Sequence, residues 1–214
     1  MQSPKLRVLR SRADTPGTIV LVLHGGRATS HAPARGHQLA YLRMRAVARS
    51  LHSAGAGCSA QVWLLRNRFR GWNEPDLDAV ADARWALERI QREHPQAGIV
   101  LVGHSLGGRV ALRLAGEPGV RGVCALAPWV EQDEPVEQLR GKPVLIAHGD
   151  EDRVTSAAAS ADYAVRARRQ PDAPAVTYRR VPRSGHAMLR RRPEWNALTR
   201  RFVRALLAGE EPVR

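Results

Sequence analysis

The chain is predicted to be an α/β protein with a mainly parallel sheet of six or seven strands and helices on both faces. Three observations carry this expectation. Short apolar runs and helix-period segments alternate along the whole length. The runs do not alternate polar with apolar residues, as strands buried on both faces require. No repeat, linker or low-complexity tract interrupts the order. With 214 residues, the chain has the length of one domain, and residues 1–214 are read as a single α/β unit.

Taken in order, residues 6–9 can add an edge strand, and Thr18–Leu23 is the first fully buried run. Residues 61–65, 99–102, 122–127 and 144–147 repeat its pattern, and Val176, Thr177, Tyr178 and Val181 make a sixth, weaker run. Between them, residues 39–53, 106–115, 156–168 and 195–207 carry helical spacing. The clearest helix joins Leu77, Val80, Ala83, Leu87 and Ile90. Its first turn is placed at Pro75 and its end just before Pro95.

Composition bounds the function. Hydrophobic residues make up 43% and charged residues 25%, which excludes a disordered or collagen-like chain. The longest apolar stretch near the N-terminus is too short for a membrane span or a signal-peptide core. Two cysteines, Cys58 and Cys124, cannot frame a disulfide scaffold, and a reducing, cytoplasmic setting is the expectation. Thirty-four Lys and Arg against twenty Asp and Glu give a net charge of +14. Only Lys5 and Lys142 are lysines, so the excess is arginine, a composition that attracts anionic substrates, nucleic acid or anionic surfaces. No nucleic-acid motif accompanies the arginines, which argues against a nucleic-acid partner.

Ligands of such sheets bind at the carboxyl ends of the strands. There, after the run at 99–102, stands Gly103-His104-Ser105-Leu106-Gly107-Gly108, leading into a helix. This is a G-x-S-x-G nucleophile elbow in the context it needs, strand then helix. The glycines give strand and helix room to pack. Ser105 is lifted into a strained turn near the positive end of the helix. A serine needs a base, and the base needs an acid to orient it, in the chain order Ser, acid, His. His148-Gly149-Asp150-Glu151-Asp152 and Ser184-Gly185-His186 follow the next strands in that order. Asp152 and Asp150 compete as the acid, with Glu131 or Asp133 a distant third.

With these residues the chain resembles the α/β-hydrolases, from about Thr18 to the C-terminus. The resemblance implies a nucleophile at Ser105, an acid at Asp152 in the H-G-x-x-D turn and a base at His186. It implies oxyanion donors in the amides of Leu106 and Gly26, with Arg27 as an alternative to Gly26, and it calls for no metal or organic cofactor. Arg27 replaces the third glycine of the H-G-G-G subgroup and can set a cation beside the site. Arg70-Gly71 fits the family's D-x-R-G-x-G-x-S turn, with Asn67 and Asn73 in place of its acid and second glycine. Trp72 and Trp129, also at carboxyl strand ends, can wall an apolar substrate pocket. About fourteen residues separate the run ending at Ala127 from Lys142, where capped members insert a lid, so no cap domain is expected. The reading is a serine hydrolase acting on a small acyl substrate, to which the arginines add an anionic option. The alternative is an arginine-rich protein binding nucleic acid or an anionic surface on the same fold.

Overall fold

The apolar runs become the middle of a sheet because their side chains find helices above and below. The computed structural model describes residues 2–11, 15–54 and 60–210. Its strands are β1 (Lys5–Leu9), β2 (Thr18–Leu23), β3 (Ala60–Arg66), β4 (Gly98–His104), β5 (Val120–Leu126), β6 (Val144–Gly149) and β7 (Val176–Val181). They form one seven-stranded sheet in the order β1-β3-β2-β4-β5-β6-β7. Only β1 runs antiparallel, pairing with β3 at the edge. All six residues of β2 are buried, as are all seven of β4.

Alternate side chains of each strand feed two cores. Ile19, Leu21, Leu23, Ile99 and Leu101 face α2 (Asp78–Glu93), α3 (Leu106–Arg113) and α4 (Ala157–Arg168). Val20, Val22, Val100 and Val102 face α1 (Leu39–Ala54) and α5 (Arg192–Ala208). Ser156 caps α4, its hydroxyl accepting from the Ala159 amide. Pro75 does not open α2. The helix begins at Asp78, and Pro75 sits in the preceding loop beyond Asn73, whose φ is 57°. The link from β5 to β6 holds only a 3-10 turn, Glu137–Leu139, and inserts no cap helices. Cys124 is fully buried in β5, and Cys58 lies outside the described residues.

Candidate active site

The elbow is built by close packing of β4 on α3. A Cβ at Gly103 would overlap the Gly107 carbonyl, and one at Gly107 would overlap the Leu23 and His24 carbonyls. Ser105 is held between them at φ 56° and ψ −121°, a conformation that L-residues rarely adopt. Its amide donates to Leu126 O at 3.0 Å, and its carbonyl accepts from Trp129 N at 3.2 Å, tying the turn to β5 and the segment after it.

Two further loops meet this hydroxyl. The Ser105 hydroxyl lies 3.0 Å from His186 Nε2, and His186 Nδ1 lies 2.8 Å from Asp152 Oδ2. The Asp152 side chain is fully buried. Its Oδ1 accepts from the amides of Val154 at 2.8 Å and Thr155 at 3.0 Å. Burial alone would raise its pKa; hydrogen bonds from His148, His186 and the two amides outweigh burial and hold it well below the usual carboxylate range. The other carboxylates go elsewhere. Asp150 accepts from Arg180 Nη2 at 2.7 Å, and Glu131 and Asp133 stand on the wall of a neighbouring cavity.

His148, at the end of β6, also contacts the Asp152 carboxylate. Its Nε2 lies 3.2 Å from Asp152 Oδ2, and its Nδ1 lies 2.9 Å from Ser160 Oγ. Thr155 Oγ1 reaches the same Asp152 oxygen at 3.0 Å. His24 and His104 fix backbone. His24 Nδ1–H donates to Gly25 O at 2.7 Å, and its Nε2 accepts from the Asn67 amide at 3.2 Å. His104 Nε2–H donates to the His186 carbonyl at 2.9 Å. Burial, then the nearby His186 and Arg43 charges, push the His104 pKa down to about 3, so the ring stays neutral.

The loop after β2 lies across the elbow, and a Cβ at Gly25 would stand 3.3 Å from Ser105 Cβ. Gly26 packs on Leu106 and on the Arg70 carbonyl, where a side chain would collide. The amides of Gly26 and Leu106 have no hydrogen-bond partner among the described residues. Arg27 is different: its amide donates to Arg70 O at 2.8 Å and its carbonyl accepts from Trp72 N at 2.9 Å, so it pins the loop and its backbone N–H is not free for an oxyanion. Asn73 stands in for the second glycine of the family turn by adopting positive φ, and its Oδ1 accepts from Ser30 N at 2.8 Å.

Trp72 and Trp129 line a cavity of about 740 Å³, but it is not the apolar pocket expected from them. Trp72 is only 1% exposed. The Arg109 guanidinium lies 4.2 Å from the Trp72 ring centre and 4.5 Å from that of Trp129. Glu134, fully buried, pairs with Arg109 Nε at 2.5 Å and Arg113 Nε at 2.6 Å. Glu74, Glu131 and Asp133 complete the walls. Arg109 stands in the first turn of α3, four residues after Ser105, and nothing in the sequence pairs it with Glu134.

A parallel sheet carrying a strained serine against a histidine at its carboxyl edge defines the class as α/β-hydrolase. The chain belongs to that family: the model of the alpha/beta hydrolase fold matches residues 18–139, more than half of the chain. No curated protein matches it. Solved structures do. A serine hydrolase without a lid from Xanthomonas campestris is 20% identical, with a TM-score of 0.70 over 95% of this chain and 89% of that one. A serine hydrolase homologue from Coxiella burnetii is 18% identical, with a TM-score of 0.69 over 92% of this chain and 90% of that one. Est1E from Butyrivibrio proteoclasticus, solved with ferulic acid, is 12% identical, with a TM-score of 0.73 over 96% of each chain. No helix among the described residues is long and apolar enough to cross a membrane.

Proposed function

We propose that the protein is a serine hydrolase that cleaves an ester or related acyl bond of a small substrate. The observation that carries this reading is the relay from Ser105 through His186 to Asp152, at 3.0 and 2.8 Å, on a serine held in the strained elbow. His186 Nε2 takes the Ser105 proton as Oγ attacks the carbonyl carbon. The Asp152 carboxylate accepts the Nδ1–H and stabilises the imidazolium that forms. The amides of Leu106 and Gly26 take the oxyanion, a contribution of about 3 kcal/mol each in comparable sites. The imidazolium then protonates the leaving oxygen, and a water activated by the same nitrogen hydrolyses the acyl-enzyme. The open connection between β5 and β6 favours short or compact acyl groups over chains that need a covered tunnel.

The alternative of an arginine-driven binding protein is weakened by how the arginines are used. Arg180, Arg190 and Arg191 pair with Asp150, Glu151 and Glu194.

A fluorophosphonate probe tests the reading. The native protein should label at a rate far above that of free serine, and Ser105→Ala should not label at all. His186→Ala should label at least about a thousandfold more slowly. Absence of labelling on the folded native protein, confirmed by circular dichroism, would overturn it.

A further inference from the structure

A second cavity, of about 540 Å³, lies against the residues that follow His186. Leu42, Val47, Met188 and Trp195 give it apolar walls. Two of the most exposed large apolar side chains among the described residues, Leu39 at 76% and Leu189 at 75%, also line it. A cavity of this size falls within the range of about 300–1,000 Å³ typical of small-molecule sites.

Its charge is one-sided. Arg43, Arg49 and Arg192 border it, and no carboxylate lines it. None of the three forms an ion pair among the described residues, whereas the neighbouring Arg190 and Arg191 do. Arg43 is half buried, and its Nε has no hydrogen-bond partner. The Trp72–Trp129 cavity is the reverse: Glu74, Glu131 and Asp133 line it, and Glu134 neutralises its arginine. An apolar groove with unpaired guanidinium groups is complementary to a chain that ends in an anion.

We propose that this groove binds a free anionic amphiphile, an aliphatic chain carrying a carboxylate. The chain lies along Leu42, Val47 and Met188, covers Leu39 and Leu189, and sets its head among Arg43, Arg49 and Arg192. The site goes beyond the hydrolase reading and does not depend on it.

The test titrates full-length Ser105→Ala protein with decanoate, below its micelle concentration, by isothermal calorimetry. Decyltrimethylammonium serves as the cation of equal chain length. Decanoate should bind saturably with one site, and the cation at least about tenfold more weakly. Arg43→Gln and Arg49→Gln should each weaken decanoate by about tenfold, the loss of one charge-assisted hydrogen bond. Leu189→Asp, a change at an exposed position, should do the same. Raising salt to about 0.5 M should weaken binding by screening. Equal affinity for the cation, unchanged decanoate affinity in the variants, or no saturable binding would each overturn the proposal. Because the titrated protein lacks the Ser105 hydroxyl, its result leaves the fluorophosphonate outcome untouched, and the reverse also holds.

Discussion

Asp152 accepts from two imidazoles at one oxygen, His186 at 2.8 Å and His148 at 3.2 Å, and from two amides at the other. His148 is wholly buried and, with Ser160 accepted at Nδ1, presents its Nε2–H to the carboxylate. In the proposed mechanism it acts through Asp152, as a positioning residue. In His148→Ala the carboxylate loses a donor and becomes more basic, so it holds the His186 imidazolium more strongly. The acid limb of kcat/KM should move to higher pH by a few tenths of a unit, and kcat should fall about tenfold through lost orientation. An unmoved limb beside a lowered melting temperature would leave His148 with packing alone. Ser105 offers a second test at this scale. At φ 56° and ψ −121° it stores strain that glycine relieves and alanine keeps. Ser105→Gly should be more stable than Ser105→Ala by about 1 kcal/mol in urea unfolding, with both inactive. Equal stabilities would mean that the turn holds no strain.

The unit that delivers Ser105 is β4, its turn and α3, and its tolerance is set by backbone contact. Gly107→Ala must push the Leu23 and His24 carbonyls away and should cost more than about 3 kcal/mol. Gly141→Ala meets nothing within 4 Å, and its φ of 65° alone should cost about 1 kcal/mol. Similar losses at the two sites would mean that α3 and the end of β2 can separate without penalty. Much at this scale was legible in the sequence. A doubly buried strand must be apolar throughout, so β2, β4 and β6 announced themselves, and the glycines around Ser105 have no other use at that spacing. The start of α2 was misread because Pro75 suits a first turn, whereas the loop around Asn73 delays the helix to Asp78. Arg109 and Glu134 went unread because a buried ion pair leaves no period in the sequence. They met only when the segment after β5 folded over α3. His148 showed itself as part of a turn, but its contact with Asp152 depends on Thr155 and Ser160 closing the pocket around it.

At the scale of the whole molecule, buried neutral histidines set how the fold responds to acid. His104 keeps a pKa of about 3 in the folded chain because of burial and the charges of His186 and Arg43. His24, also buried, is shifted down by burial first. Unfolded, each would titrate near the ordinary value of about 6.5. Below that pH the unfolded chain takes up protons that the folded chain refuses, so stability is full above about 6.5 and falls as pH drops through the interval. Each histidine contributes a slope of up to about 1.4 kcal/mol per pH unit. Asp152 enters later: its depressed pKa stabilises the fold above about 4, and that share is lost below it. The net charge of +14 at pH 7 grows as carboxylates protonate and adds self-repulsion at the acid end. Urea unfolding between about pH 6.5 and 5.5, a unit or more above the ordinary Glu value of about 4.3, weights the histidines over most carboxylates. The unfolding free energy should fall by more than about 1 kcal/mol per unit there. His104→Gln keeps an amide donor for the His186 carbonyl and should remove roughly half of the slope. A native slope near zero, or one that the substitution leaves intact, would mean that His104 takes up its proton in the folded chain.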